Sequence, residues 1–324
     1  MISVCINTRD RHQALTGCLK SILASKYKDF EIIVIDQSTE KVPKHILDFM
    51  VKNKITYVLD SGKGAGRAKN ISLKLARGEI VAYTDDDCLV SRNWLGQIAS
   101  FFKKNKDIAG VFGGVSAFAP KKHQGFYCPC TVGRTKAEVI SSPCKHWLYL
   151  GFGNNMAFRK KALKRVGGFR DWLGPGSVGK NADDAEVALR LLTSGNRLAY
   201  EPKIVVFHNR WLTATQSIKQ SFAYGSGETA CYGYYFFLGS KFCKTVVIDS
   251  FKNALLDVSA AIKLNIKSLL LKNNKTATFN ENSTSVRPGL IDSIGVLAFK
   301  LWGLVVGFYY AKVDAPKAPL VNMA

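Results

Sequence analysis

Three consecutive aspartates, Asp85, Asp86 and Asp87, follow an apolar run that begins at Glu79. Like charges at the end of a buried strand repel one another, at a cost of several kcal/mol, unless a positive group lies beside them. A divalent cation would relieve this repulsion, and Mg²⁺ or Mn²⁺ is usually held by one or two carboxylates together with substrate phosphates. A solvated acidic turn is the alternative, but the position between a strand and a helix favours a binding site.

A second group of carboxylates, Asp183, Asp184 and Glu186, lies at the start of a predicted helix that runs to about Thr193. Asp183 is predicted to be the N-cap, and Glu186 is predicted to close a capping box three residues later. Asp184 then has no capping role, and the helix N-terminus keeps its carboxylate ionised. Because an ionised carboxylate can accept a proton from a substrate hydroxyl, Asp184 is the candidate catalytic base.

Several further residues at predicted strand ends could contact a nucleotide. Asp36 ends a strand and could accept a hydrogen bond from a ribose hydroxyl or a base N–H, with a turn-forming role as the alternative. Thr8, Arg9 and Arg11 follow the first strand and could reach phosphates.

A glycine-rich turn, Gly62–Asn70, opens a helix and could turn its backbone N–H groups towards a diphosphate, together with Arg67 or Lys69. The pattern is weak by itself and is not a Walker sequence. His208 ends the last predicted strand and could add a nitrogen ligand to an Asp-bound metal, although a lone histidine is more often structural.

Aromatic and sulfur-containing side chains offer two further hypotheses. Trp147, Trp172 and Trp211 could line a sugar pocket, with core packing as the alternative. A zinc site is a minor alternative to plain loop thiols, since Cys-x-Cys is not the usual paired spacing. The residues that would form it are His123, Cys128, Cys130, Cys144 and His146.

The elements that must position these residues alternate between strand and helix patterns over residues 1–118. This alternation predicts an α/β fold with a mostly parallel sheet covered on both faces. Strands are predicted at 2–7, 30–36, 55–60 and 79–84, and helices at 14–23, 43–51, 68–76 and 94–102. Beyond an irregular stretch at 119–147, we predict a helix to Val166, the helix at 183–193 and a strand at 203–208. The predicted divisions are 1–118, 119–212 and 213–324.

Composition limits the class of protein. The chain has 324 residues, 47% of them hydrophobic, and a net charge of +22, which excludes a disordered chain and favours an anionic partner. The first residues form a strand pattern without the successive regions of a secretory signal, so we expect reduced cysteines and a cytosolic location.

The C-terminal region, residues 213–324, is basic and apolar. Residues 232–275 contain seven lysines and two aspartates, a composition that suits an anionic membrane surface. Ile294–Ala311 spans 18 residues, at the lower limit for crossing a bilayer, and Lys300 within it would cost about 2.5 to 3.5 kcal/mol. Gly303 and Gly307 form a weak helix-pairing signal. We expect membrane association, lying on or crossing the bilayer, with a buried pair of core helices as the alternative.

Taken together, these motifs resemble those of family 2 glycosyltransferases with the GT-A fold. The segments that carry the resemblance occur in family order and cover roughly residues 1–212. They are Ile2–Arg11, Val34–Thr39, Gly64–Asn70, Gly78–Cys88, Gly153–Asn155 and Asp183–Leu191. Three positions depart from the family pattern, with Asn7 in place of Pro, Gln37 in place of Gly and Lys69 in place of Arg.

The resemblance implies a doubly wound, Rossmann-like GT-A domain and an inverting transfer from a nucleotide sugar, often a UDP-sugar, with Mg²⁺ or Mn²⁺. It implies that Asp85 and Asp87 hold the metal and diphosphate, with Asp86 beside them, and that His208 is a further ligand. The implied nucleotide contacts are Thr8, Arg9, Asp36, Arg67 and Lys69. Asp184 matches the base, and Asn155, Asp183 and Trp172 would lie on the acceptor side. Such enzymes often act on lipid-linked or surface-polysaccharide acceptors, which implies a role in the cell envelope at the cytoplasmic face of a membrane or in the cytoplasm.

Two other classes of protein remain open from the sequence. A nucleotidyltransferase would share the metal and the fold but would release pyrophosphate. A non-enzymatic protein that binds nucleic acid or membranes through its charge would show basic patches with exposed aromatics. The acidic groups disfavour binding to a polyanion, so no nucleic-acid partner is expected.

Overall fold

The computed structural model describes residues 1–122, 125–143, 150–272 and 290–314. Contacts along the chain define two compact units. Unit 1 comprises Met1–Val178 and Ala182–Ala214, and unit 2 comprises Gly179–Asn181 and the chain from Thr215 onwards.

Unit 1 begins with four strand–helix repeats. In chain order they are β1 (Ile2–Thr8), α1 (His12–Leu23), β2 (Phe30–Asp36), α2 (Lys44–Lys52), β3 (Thr56–Leu59), α3 (Ala65–Leu75), β4 (Ile80–Asp85), β5 (Cys88–Val90) and α4 (Trp94–Lys104). β1 pairs in parallel with both β2 and β4, and β2 pairs in parallel with β3. The carboxyl ends of these strands therefore meet at one edge of the sheet.

The rest of unit 1 completes a nine-stranded sheet. It contains β6 (Ile108–Ala117), a short 3₁₀ turn (Pro120–Lys122), β7 (Glu138–Ile140), β8 (Asn155–Arg159), α5 (Lys160–Arg165), α6 (Asp183–Thr193) and β9 (Arg197–His208). The strand order is β3-β2-β1-β4-β8-β6-β9-β5, and β7 pairs with β9. β8 is antiparallel to both β4 and β6, whereas β6 and β9 are parallel.

Apolar side chains cover both faces of this sheet, as its runs of Ile and Val require. One cluster packs α1, α2 and α4 against the strands, with Leu15, Ile46 and Trp94 among its buried members. The other packs α3, α5 and α6 on the opposite face, with Leu163 and Leu191 among its members. The predicted α/β fold with a largely parallel sheet and a helical C-terminal segment is confirmed.

Unit 2 contains three long helices, α7 (Ala214–Phe237, of which Ala214 is counted with unit 1), α8 (Lys241–Lys272) and α9 (Leu290–Asp314). α9 lies against α7 at two glycines. A Cβ atom at Gly303 would lie 2.1 Å from the backbone oxygen of Ser226, and one at Gly307 would lie 2.7 Å from that of Ala230. The predicted helix-pairing face is thus present, and it packs α9 on α7.

Lys300 of α9 has partners on both other helices. Its Nζ lies 3.6 Å from a carboxylate oxygen of Glu228 in α7, and it donates a short hydrogen bond to Ser250 in α8. The outward face of α9 is apolar instead. Eight large hydrophobic residues of α9 are exposed, namely Ile291, Ile294, Leu301, Trp302, Val305, Phe308, Tyr309 and Val313.

Candidate functional site

Strand register brings the predicted acidic residues to the same edge of the sheet. Asp85, the last residue of β4, lies beside Asn7 of β1, and Thr8 of β1 lies beside Asp36 of β2. Asp86 and Asp87 follow in the turn to β5, and both are buried. These acids therefore share one edge of the sheet.

A protein cation supplies part of the positive charge that this acid cluster needs. The Arg11 guanidinium lies 2.7 Å from Asp86 and 2.5 Å from Asp87. The Thr8 hydroxyl donates to Asp86 at 2.7 Å. Burial raises the pKa of Asp86, and Arg11 opposes this effect. Asp86 and Thr8, predicted to contact the cofactor, are thus bonded to each other inside the protein, because a fully buried carboxylate needs such donors.

Asp87 and His208 form a buried pair. The Nε2 atom of His208 lies 3.2 Å from Oδ1 of Asp87, and its Nδ1 lies 2.7 Å from the carbonyl oxygen of Pro129. Burial by itself would lower the pKa of His208, but the hydrogen bond with Asp87 and the nearby acids raise it to about 10. Burial by itself would raise the pKa of Asp87, but the hydrogen bond with His208 and the charge of Arg11 lower it. A proton therefore sits between the two side chains at neutral pH.

These residues fit a divalent cation. Among the described residues, Asp87, Cys88 and His208 form the group whose ligand atoms all lie within 4.8 Å of one another. Burial raises the pKa of Cys88 well above its ordinary value, so its neutral thiol is a poor ligand for a hard ion. A cation would take the place of the proton between Asp87 and His208, with Asp87 as an oxygen ligand and His208 as a nitrogen ligand. Asp85 lies outside this group, which departs from the predicted pairing of Asp85 with Asp87.

Asp85 differs from the two acids that follow it. It is half-buried, and within the described part of the chain its carboxylate makes no hydrogen bond and no ion pair. Burial and the charge of Asp87 raise its pKa, and Lys69 acts in the opposite direction. Asp85 is therefore the member of the cluster with the most capacity left for a ligand.

Asp184 is held in place by backbone groups. The N–H of Gly153 donates to its Oδ2 at 2.6 Å, and the N–H of Ala185 donates to its Oδ1 at 2.8 Å. Burial and the neighbouring Asp183 raise the pKa of Asp184 to about 6, against the effects of Lys69 and these two hydrogen bonds. A carboxylate with this pKa is ionised at neutral pH and can still accept a proton, as a general base must.

The predicted capping box at α6 is wrong. Ala182, with a φ of 70°, precedes the helix, and no side-chain cap is present. Asp183 instead pairs with Lys69 at 2.5 Å, and Glu186 is buried and bonded to Arg190 at 2.5 and 2.6 Å. These ion pairs take the place of capping because both acids face the protein interior and not the helix end.

The glycine-rich turn and its basic residues also make their contacts within the protein. The N–H of Ala65 donates to the carbonyl oxygen of Pro175 at 2.9 Å, and Arg67 pairs with Asp60 at 2.9 Å. Lys69 is buried beside Asp183. The prediction that Arg67 and Lys69 face a diphosphate is therefore not borne out by their contacts, since each already neutralises an aspartate.

Asp36 and Arg9, the other predicted nucleotide contacts, have different surroundings. Asp36 is fully buried and accepts from Tyr57 at 2.8 Å and from the N–H of Ser38 at 2.8 Å, with His12 3.0 Å away. A nucleoside contact to Asp36 would have to replace one of these partners. Arg9 is 40% exposed, 3.7 Å from Asp10, and remains accessible to an anion.

On the predicted acceptor side, Asn155 proves to be a core residue. Its amide donates to the carbonyl oxygens of Gly114 and Ile204, both at 2.8 Å, and accepts from the indole of Trp94 at 2.9 Å. The acceptor role predicted for Asn155 is therefore wrong, because these bonds fix β8 within the sheet. Trp172 is largely buried, in a loop whose Ser177 hydroxyl bonds to its carbonyl oxygen.

The sequence pattern does not single out the neighbouring residue, Asn154, which is 3% exposed and whose amide has no hydrogen-bond partner among the residues that the structure describes. The sequence offers no signal that distinguishes it from Asn155. Of the predicted zinc ligands, His123, Cys144 and His146 lie outside the described residues, as does Trp147. Cys128 is buried and its thiol lies 3.5 Å from the backbone oxygen of His208.

Comparison with known proteins identifies the family of this chain. Residues 3–167 match the profile of "Glycosyl transferase family 2". A glucosyl-dolichyl phosphate glucuronosyltransferase of Haloferax volcanii is 23% identical over 227 residues, 64% of this chain and 68% of that protein. A GalNAc(5)-diNAcBac-PP-undecaprenol beta-1,3-glucosyltransferase of Campylobacter jejuni is 33% identical over 116 residues, 35% of this chain and only 37% of that protein.

Solved structures show the same fold. Mannosyltransferase PcManGT from Pyrobaculum calidifontis, in complex with GDP-Man and Mn²⁺, matches with a TM-score of 0.51 at 17% identity, covering 98% of this chain and 76% of that one. S. aureus TarS 1-349 in complex with UDP-GlcNAc matches with a TM-score of 0.54 at 15% identity, covering 98% and 91%. Since the family profile spans more than half of the sequence, the chain belongs to glycosyl transferase family 2 and is a glycosyltransferase with the GT-A fold.

Proposed function

We propose that this glycosyltransferase moves a sugar from a nucleotide sugar, most simply a UDP-sugar, to a hydroxyl of a lipid-linked or glycan acceptor, with inversion at the anomeric carbon. The observation that carries this proposal is the position of Lys69. Its ammonium pairs with Asp183, and its charge also acts on Asp85 and Asp184. Asp85 of the acid cluster and the candidate base Asp184 thus share the influence of one buried cation, which supports a donor site next to a base.

A divalent cation, Mg²⁺ or Mn²⁺, would neutralise the donor diphosphate and stabilise the departing nucleotide. Asp87 and His208 would hold it, with Asp85 beside them. The Mn²⁺ complex of PcManGT supports this assignment by likeness of fold. Arg11 keeps the unliganded acids from repelling one another, and Arg9 is exposed enough to meet a phosphate.

Asp184 would accept the proton of the acceptor hydroxyl as that oxygen attacks the anomeric carbon. The two N–H groups of Gly153 and Ala185 fix the carboxylate, and its raised pKa makes proton transfer more favourable. Attack from the side opposite to the leaving nucleotide inverts the configuration of the sugar. Lys69 would limit the rise in pKa, so that Asp184 remains ionised at neutral pH.

The acceptor and the location are inferred from relatives and from unit 2. Two relatives are named for dolichyl- or undecaprenyl-linked substrates. Ile291–Val313 is 23 residues long with a mean hydropathy of 1.7, enough to span a membrane, although one such helix is weak evidence. Free thiols at Cys5, Cys18, Cys88, Cys128 and Cys243 suit a reducing compartment. We therefore place the enzyme at the cytoplasmic face of a membrane.

The variant Asp184→Asn tests the proposal. It should bind UDP and Mn²⁺ as the parent does but transfer sugar about 10²- to 10⁴-fold more slowly, because the amide cannot accept the proton. Asp48→Asn, which changes an exposed aspartate of α2, is the matched control and should keep the parent rate. Transfer by Asp184→Asn at the parent rate would contradict the assignment.

The same assay separates a glycosyltransferase from a nucleotidyltransferase. Transfer of a sugar releases a nucleoside diphosphate, whereas transfer of a nucleotide releases pyrophosphate. A panel of nucleotide sugars with Mg²⁺ or Mn²⁺ should release the diphosphate, and pyrophosphate as the product would rule the proposal out.

A further inference from the structure

Two adjacent asparagines at the entry to β8 have opposite environments. The amide of Asn155 makes three hydrogen bonds, two to the sheet and one with Trp94 of α4. Asn154 is also buried, at 3% exposure, yet among the described residues neither its Oδ1 nor its Nδ2 has a hydrogen-bond partner. Because an unsatisfied buried amide lowers stability, its presence requires an explanation, and a ligand that completes its hydrogen bonds is one.

Strand register places Asn154 beside the metal-binding edge. β4 and β8 are antiparallel and their pairing ends with Thr84 opposite Asn155, so Asp85 and Asn154 are the next residues of the two segments. On the other side of Asp85 lies Asn7, whose Oδ1 is also buried and has no hydrogen-bond partner in the described part of the chain. Two amides with unused hydrogen-bonding capacity thus adjoin this edge, Asn7 on β1 and Asn154 in the turn before β8.

Asn154 lies in the turn that leads into β8, directly before the first residue of that strand. The side chain of Asn155 bonds to Trp94 of α4. Asn7 faces α3, since its Nδ2 lies 3.5 Å from the carbonyl oxygen of Ala65. Asn154 also follows Gly153 directly, and Gly153 holds Asp184. It therefore adjoins both the diphosphate side and the base side of the site.

We propose that Asn154, assisted by Asn7, binds the hydroxyl groups of the transferred sugar and selects the donor. The inference rests on the proposed function, since a sugar in transit must lie between the leaving diphosphate and the base. A carboxamide accepts through Oδ1 and donates through Nδ2, so it can bond two neighbouring hydroxyls of a pyranose at once. A site built in this way rejects sugars that lack the matching hydroxyl, because its amide is then left unpaired.

Calorimetry with Mn²⁺ tests the proposal on the full chain, with UDP, UDP-glucose, UDP-galactose and UDP-GlcNAc as probes and GDP and GDP-mannose as a second set. Asn154→Ala should bind the bare nucleoside diphosphate within about twofold of the parent. It should bind the preferred sugar donor roughly tenfold more weakly, the loss expected for one or two hydrogen bonds. Its melting temperature should not fall.

Asn155→Ala is the matched control. It removes three hydrogen bonds from the core and should melt at a clearly lower temperature than either the parent or Asn154→Ala. The proposal is overturned if Asn154→Ala keeps the parent affinity for every sugar donor, as it would if its amide held only a buried water. It is equally overturned if Asn154→Ala unfolds as Asn155→Ala does, which would assign the amide a structural role.

Binding of UDP and GDP without an attached sugar distinguishes a failure of this inference from a failure of the proposed function. A parent protein that binds neither UDP nor GDP with Mn²⁺ would refute the proposed function, and the inference with it. A parent that binds a nucleoside diphosphate but gains nothing from any attached sugar would refute the inference alone.

Discussion

Asp184 combines a buried position with a remaining ability to ionise. Its pKa of about 6 lies above the ordinary value because of burial and Asp183, while Lys69 and two backbone N–H groups limit the rise. The balance depends on the Lys69–Asp183 pair, since removing one partner of a buried ion pair leaves an uncompensated charge. Lys69, which limits the rise in the pKa of Asp184, thus lies on α3, whereas Asp184 lies on α6.

The pH dependence of transfer should report this pKa. A raised pKa means that the carboxylate takes up a proton on acidification earlier than a free aspartate would. Because the base must be ionised, the transfer rate should be constant above about pH 6 and fall about tenfold per pH unit below it. Single-turnover rates across pH 4.5 to 8, roughly, would check this, with UDP affinity measured in parallel. A flat rate profile through this range would contradict the assignment.

At the residue scale, the sequence predicted locations better than contacts. It placed Asp85, Asp87, Asp184 and His208 at strand or helix ends that converge in the structure. It did not foresee that Lys69 pairs with Asp183, because partners 114 positions apart in the chain are specified by packing and not by local pattern.

The same limit hid the difference between Asn154 and Asn155. Both are asparagines in one motif, and the chain leaves a turn and begins β8 between them, so that Asn155 bonds to Trp94 and Asn154 does not.

At the scale of elements, alternating patterns identified the first four strands and helices within a few residues of their observed bounds. β6 and β8 were not predicted as strands. β6 carries three glycines, and β8 begins in a polar motif, so neither shows a plain strand pattern. Their burial between neighbouring strands overrides the weak local preference.

The contact between α7 and α9 depends on Gly303. Replacing Gly303 with Ala places a methyl group 2.1 Å from the backbone oxygen of Ser226, which must then move. We expect a loss of about 1–3 kcal/mol in unfolding free energy, as for overpacked cores.

Gly96→Ala in α4 is the matched control for Gly303→Ala. A Cβ atom at Gly96 meets nothing within 4 Å, so the change should stabilise the protein by up to about 1 kcal/mol. Urea unfolding of both variants under identical conditions would compare them. Equal midpoints for the two would show that the glycine contact is unimportant.

At the scale of the whole molecule, charge and exposed apolar surface point to the same environment. The net charge of +22 favours anionic surfaces. α9 exposes eight large hydrophobic residues, whereas Ser293 is buried. A helix that exposes this many large hydrophobic residues suits an apolar surrounding.

The protein should therefore bind vesicles that contain anionic lipid more tightly than zwitterionic ones, and less tightly as salt rises. Val305→Glu, at a position 59% exposed on α9, should weaken binding roughly tenfold through lost apolar burial and charge repulsion. Val51→Glu, at a position 70% exposed on α2, makes the same change in unit 1 and should have little effect. Cosedimentation would measure both, and equal binding of the two variants would refute a lipid-facing α9.

Because Lys300 has its partners on α7 and α8, α9 depends on these two helices. Its ammonium pairs with Glu228 of α7 and donates to the hydroxyl of Ser250 in α8, so its counter-ion belongs to a neighbouring helix. Grafted alone onto another protein, α9 would carry this ammonium into an apolar surrounding without its carboxylate partner. A tail transferred between enzymes would therefore keep this charge balance only if α7 came with it.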